Sequence, residues 1–211
     1  MRTALALFGL LAGTGAAAQF VTVDRIAIIV GGHAVKTSDI DRDVRATEFL
    51  NAQPPDLGTK AKQDAAQRLI DQQIIRSELN TGGYQRPNES EAAADLSQIR
   101  KDRFGGSDTR LRRELEKYGL TEDELRARLL WQLTVLSFID QRFRPGVLIT
   151  DQDVRKYYEQ HRAEFGNQSF DAVAAKIRET IAEQQINQQF FAWLDERRKD
   201  VHIQFPEGAL E

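Results

Sequence analysis

Apolar residues recur at three- and four-residue intervals through most of this chain, whereas β-branched or alternating stretches occur only near its two ends. The first pattern predicts helices that bury one stripe, and the second predicts strands. Residues 23–30 (VDRIAIIV) are β-branched and apolar, and Gly31-Gly32-His33 leads into Ala34-Val35-Lys36-Thr37, which predicts a hairpin over 23–37 with the glycines in its turn. Near the other end Val201, Ile203 and Phe205 alternate with His202 and Gln204, which predicts a closing strand. Two strands alone are marginal, so this one is expected to join residues 26–30 and tie the ends of the fold together.

Helices fill the interval. Ser38 is expected to cap the first of them with Asp41, and Ile40, Val44 and Phe49 form its buried stripe until Pro54-Pro55 and Gly58 stop it. Ala66, Leu69, Ile70, Ile74, Ile75 and Leu79 give the next helix one wide apolar face, ended by Gly82-Gly83. Residues 88–104 hold few large apolar groups and are expected at the periphery. Leu111, Leu115 and Tyr118 mark a short helix closed by Gly119, and Thr121 with Glu124 forms a capping box for its successor.

That successor, running through Phe143, is the most informative stretch. Eight of the eleven residues from 129 to 139 are apolar: Leu129, Leu130, Trp131, Leu133, Val135, Leu136, Phe138 and Ile139. Such a helix is surrounded on nearly every side, either by its own neighbours or by a partner on one face. Thr150 and Asp153 cap a further helix whose one side carries Val154, Tyr157, Tyr158, His161 and Phe165. The last helix is predicted from about Ser169 to Lys199. Its stripe runs Phe170, Val173, Ile177, Ile181 and then Ile186, Phe190 and Trp193 or Leu194, so the five-residue step after Ile181 rotates the apolar face. The two halves are therefore expected to pack on different bodies. No internal repeat or long linker divides the chain.

Residues 1–18 (MRTALALFGLLAGTGAAA) place a basic residue, Arg2, before a short apolar run and a small-residue end. This is the layout of a cleavable signal peptide, with the cut expected between Ala18 and Gln19. The apolar run falls short of the roughly 20 residues that span a bilayer, so no stable membrane insertion is expected. Export without any cysteine fits a bacterial periplasm.

Composition narrows the chemistry. With 29 Lys+Arg against 32 Asp+Glu the net charge is -3, which argues against nucleic-acid binding. The lack of cysteine removes thiolate nucleophiles and cysteine zinc sites, and the three histidines, His33, His161 and His202, lack metal-ligand spacing. Neither a phosphate loop follows Gly31-Gly32 nor is there a G-x-S-x-G elbow. No cofactor, metal or catalytic residue is expected. Trp131, Val135, Phe138, Phe143, Tyr157, Tyr158, Phe165 and Trp193 are core candidates by residue type, and those left uncovered would line an apolar groove.

The order of elements resembles that of the SurA-like periplasmic chaperones and their relatives among exported peptidyl-prolyl isomerases. The opening hairpin and first helix carry Val23, Ile26, Val30, Val35, Ser38 and Asp39 at the family's positions. RLIDQQIIRSEL (68–79), YGLTEDELRARLLWQLTVLSFID (118–140) and ITDQDVRKYYEQHRAEF (149–165) are similar to three later elements. The resemblance spans essentially the whole chain after the leader. It implies a mainly helical chaperone module over 19–211, in which a long C-terminal helix and strand (169–206) pack back on the hairpin (23–37) and helical body (38–165). It also implies ATP-independent binding of unfolded outer-membrane or exported polypeptides in an apolar crevice between body and long helix. Many relatives carry a parvulin-type isomerase domain after the Tyr-Tyr helix, but here only Gly166, Asn167 and Gln168 separate Phe165 from the last helix. That domain's catalytic residues therefore carry over to no position. A prolyl isomerase without it, or an envelope adaptor that uses its apolar surface for homodimerisation, are the alternative readings.

Overall fold

The computed structural model describes residues 24–206 and Gly208. The expected signal peptide and its cut lie outside those residues. Strand β1 (Ile26–Val30) turns through Gly31 and Gly32 into β2 (His33–Lys36). Both glycines have positive φ, +54° and +85°, the backbone that a tight two-residue hairpin turn demands. Strand β3 (Ile203–Gln204) adds to the far side of β1, with Ile29 opposite Gln204 and Val30 opposite Ile203. The sheet order is β2-β1-β3, all antiparallel, and the Gly31 N–H donates to the His202 carbonyl at 3.0 Å. The two ends of the described chain are thus joined as the alternation predicts.

Helix α1 (Thr37–Leu50) follows β2 without a break. Its expected cap, Ser38 with Asp41, is not the one that forms. Asp24 reaches across from ahead of the hairpin, accepting from the Ser38 N–H and the Thr37 hydroxyl at 3.2 Å each and also from the Ser38 hydroxyl. Asp39 then accepts from the Lys36 N–H at 3.0 Å. Tertiary contact here displaces the local box, because a carboxylate satisfies exposed helix N–H groups better than a neighbouring hydroxyl does.

Helices α2 (Thr59–Thr81), α3 (Glu89–Phe104), α4 (Asp108–Lys117) and α5 (Glu122–Phe143) complete the body. Asn88 caps α3, and Thr121 with Glu124 caps α5. Helix α3 is not simply peripheral: Ala92 and Leu96 form a narrow stripe that is fully buried. Small residues let its backbone approach α5 closely, which a search for large apolar groups overlooks. Helices α6 (Asp151–Gln160) and α7 (Arg162–Phe165) precede the long α8 (Phe170–Asp200).

Among the described residues these elements enclose three apolar cores. The first joins the sheet, α1, α2, the end of α5 and the second half of α8, through Ile28, Val35, Ile40, Ile70, Ile74, Phe138 and Phe190 among others. The second lies between the end of α1, α3, α4 and the start of α5, around Phe49, Leu96, Leu111, Leu115 and Leu125. The third is smaller and packs Val154 of α6 against Val173, Ile177 and Ile181 of α8. Helix α8 therefore serves two bodies, and the break falls between Ile181 and Ile186, where its stripe rotates.

Candidate functional site: the grooves around α5

Helix α5 is the spine of the body, with Leu125 and Leu129 in the second core and Phe138 and Phe143 in the first. Its remaining sides border three concavities. The largest, about 700 Å³, opens between α1, α2 and α5. Most of the residues that line it are polar or charged, and Val35, Leu69 and Trp131 are among the rest. Asp43, only 5% exposed, accepts from Arg68 at 2.7 Å, Arg128 at 2.6 Å and Gln72 at 3.4 Å. Arg42 bridges Asp39 at 3.0 Å and Glu124 at 2.9 Å. This cleft is a charge-compensated floor, in which each carboxylate faces at least one guanidinium.

Trp131 ends that cleft and begins the second, about 370 Å³, bounded by Leu79, Asn80, Arg86, Pro87, Leu130 and Thr134. The Arg76 guanidinium lies 4.1 Å from the Trp131 ring centroid and separates the two concavities. Burial, helped by the like charge of Arg86, lowers the Arg76 pKa. Although much of its area is open, the group sits within a concave wall.

The third groove, about 560 Å³, runs between α5 and α8 and is lined by Leu133, Leu136, Ile139 and Ile186 with Asp140, Arg144 and Glu183 at its rim. Leu136 is 64% exposed. This is the location expected for an apolar crevice between body and long helix, although the charged cleft on the opposite side is larger.

The connection between α2 and α3 walls the second and third grooves. Gln141 of α5 holds it, accepting from the Gln85 N–H at 3.0 Å and donating to the Gln85 carbonyl at 2.9 Å. Tyr84 stands edge-on to Phe138 with centroids 5.0 Å apart, and Arg142 donates to Glu78 at 2.6 Å and to the Tyr84 hydroxyl at 2.5 Å. An added Cβ at Gly82 would lie 2.1 Å from the Tyr84 ring, so glycine is what permits this close turn.

The eight aromatic and aliphatic candidates separate into two groups. Phe138, Phe143 and Trp193 cluster with Phe190, the Phe138 centroid lying 6.0 Å from Phe143 and 5.3 Å from Trp193. Phe138 is 0% exposed and Phe143 7%, so both are core residues, and neither lines these three grooves. Phe138 packs on Tyr84 and Trp193, and Phe143 on Phe190 and Trp193 of α8. Trp193 and Val135 are partly buried at the margin of that core, and Trp131, also at its margin, faces the concavities. Tyr157, Tyr158 and Phe165 belong to the third core, away from α5. The Tyr157 ring stacks on His161 at 4.0 Å, and the Tyr158 hydroxyl donates to the Gln168 carbonyl at 2.7 Å.

Leu133, Leu136 and Ile139 were legible as apolar positions of α5, but periodicity could not tell which of its sides stays uncovered. Arg76 and Arg86 carry no local motif. Among the described residues no helix is long and apolar enough to cross a membrane.

No family model matches the sequence, and no curated protein matches it. Among solved structures the chain is similar to one from the human pathogen Campylobacter jejuni, described with the virulence factor PEB4 and the periplasmic protein Cj1289 as two structurally related SurA-like chaperones. The match has a TM-score of 0.55 at 11% identity and covers 87% of this chain and 99% of that one. The hairpin, helical body and returning long helix with its strand therefore form a SurA-like fold.

Proposed function

We propose that this protein is an ATP-independent chaperone of the periplasm, exported by the leader at 1–18 and working as one module over 19–211. Its clients are unfolded or partly folded exported polypeptides, outer-membrane proteins among them. The observation that carries this reading is the uncovered side of α5. Leu133, Leu136 and Ile139 lie in an open groove against Ile186 of α8, and Trp131 faces the adjoining concavities. A non-native client presents apolar side chains along extended backbone, and burying them returns about 25 cal/mol per Å² with little demand on sequence. Ordering a flexible chain opposes this gain, so affinity stays modest and release requires no nucleotide. The likeness in fold to chains described as SurA-like chaperones supports the same reading.

The test is to dilute a denatured β-barrel protein into buffer with and without the purified protein and to follow light scattering. Suppressed aggregation at stoichiometric excess is expected, and unchanged aggregation rejects the proposal.

A further inference from the structure

Several arginines of the body are matched to carboxylates: Arg42 and Arg128 in the wall of the largest cleft to Asp39 with Glu124 and to Asp43, Arg68 also to Asp43, and Arg142 to Glu78. The two that line the second groove are not. Arg76 stacks on Trp131 and forms no ion pair among the described residues. Arg86 donates from Nη2 to the Leu79 carbonyl at 3.2 Å and to Asn80 Oδ1 at 2.9 Å, which fixes its position while its Nε and Nη1 stay available. Two cations thus converge on one concavity of a chain that carries more acidic than basic residues. Each raises the cost of the other, and no carboxylate among the described residues forms an ion pair with either.

The rest of the lining says what accompanies the charge. Leu79, Pro87, Leu130 and the Trp131 ring are apolar, and Thr134 turns its hydroxyl back to the Leu130 carbonyl at 2.7 Å. A free inorganic anion would use the arginines and leave this wall wet. A peptide carboxylate beside an aliphatic side chain uses both. The planar guanidinium fork suits the planar carboxylate, and the stack on Trp131 holds the Arg76 plane in place beforehand.

We propose that the groove between α2 and α5 is a carboxylate subsite, in which Arg76 and Arg86 bind an acidic group of a polypeptide client while Leu79, Leu130 and Pro87 receive its apolar neighbour. This rests on the chaperone reading and makes it more specific: clients that join an apolar residue to a carboxylate are retained longer than neutral apolar segments. The carboxylate is either an Asp or Glu side chain or the free end of a chain, and the two present the same group.

Short acetylated peptides of alternating leucine and serine separate these sources. Four are titrated into the full protein and followed by calorimetry: a free-acid end, the amidated end, and the amidated peptide with an internal Glu or with Gln in its place. At low ionic strength one carboxylate form or both should bind about tenfold more tightly than its neutral counterpart, with the gain shrinking as salt is raised. The gain should disappear in Arg76→Gln and Arg86→Gln variants whose thermal melting matches wild type. The form that gains affinity identifies the source. Equal binding of charged and neutral peptides to the wild-type protein, absence of binding by any of them, or a gain that persists in both variants overturns the subsite. The light-scattering assay run alongside tells the two readings apart: a protein that suppresses aggregation yet ignores peptide charge keeps the chaperone role and loses the subsite.

Discussion

Arg198 of α8 grips Asp71 of α2 with two parallel hydrogen bonds, Nε to Oδ1 at 2.7 Å and Nη2 to Oδ2 at 2.6 Å. The pair joins residues 127 positions apart and fastens the second half of the long helix to the body. Burial nevertheless raises the Asp71 pKa, and the Arg198 fork offsets it only in part. A double-mutant cycle with Arg198→Ala and Asp71→Asn, read by urea denaturation at about pH 7, should give a coupling of about 1 kcal/mol.

The same raised carboxyl sets a pH dependence. Between the unfolded and folded titrations the native state holds more protons, so the stability from this group is complete at low pH and declines as pH rises through the folded value. Relative to Asp71→Asn, the wild type should therefore lose ground on going from about pH 3.5 to about pH 7. An unchanged difference between the two proteins would count against the assignment.

Asp24 works in the opposite sense. Hydrogen bonds from Ser38, chiefly its hydroxyl, and from Thr37, together with the nearby Lys36 charge, hold its carboxyl below the ordinary range. Its contribution is therefore present above the unfolded titration and lost as pH falls through the lower folded one, beneath about pH 4. Amide exchange at Ser38 should accelerate, relative to other α1 amides, over that window, and Asp24→Asn should show the acceleration at neutral pH.

Asp43 supports the floor of the largest cleft. Asp43→Ala leaves Arg68 and Arg128 without the carboxylate they share, and Arg128 has a side chain only 16% exposed. The loss should be about 2–3 kcal/mol, measured by chemical denaturation.

Two neighbours on α5 separate holding from folding. Leu136→Asp alters a side chain that is 64% exposed and should leave the melting temperature nearly unchanged while weakening suppression of client aggregation. Phe138→Ala empties a fully buried site and should cost about 3–5 kcal/mol. If Leu136→Asp holds client as well as wild type, the α5–α8 groove is not the client surface.

The turn between α7 and α8 supplies a further expectation. Phe165 ends the one helix and Phe170 begins the other, leaving no room between them for an inserted isomerase domain. A proline-limited refolding assay tests the isomerase alternative directly: acceleration supports it, and an unchanged rate counts against it.

Much of this architecture could be read in advance. The glycine pair fixed the hairpin, Thr121–Glu124 and Thr150–Asp153 fixed two helix starts, and the five-residue step at Ile181 located the change of packing partner along α8. Those signals are local, set by caps, turns and periodicity. The features that local pattern missed are tertiary. Asp24 reaches its helix across fourteen positions, and Ala92 matters through close approach rather than size. Residue type marked Trp131 and Phe138 alike, yet their fates differ because a helix apolar on every side does not reveal which side its neighbours leave open. The unmatched arginines are invisible for the same reason, since a charge is unpaired only with respect to the whole fold.

The contact of β3 with β1 governs when the molecule can become whole. Residues 203–204 supply the outer edge of a sheet that opens near residue 26, and the half of α8 before them completes the first core. That core therefore cannot close until residues 186–204 meet residues 26–30, and such distant pairing slows folding. Until then the apolar faces intended for α8 stand open, which makes this protein, for a short time after its own synthesis, the same kind of molecule it is proposed to protect.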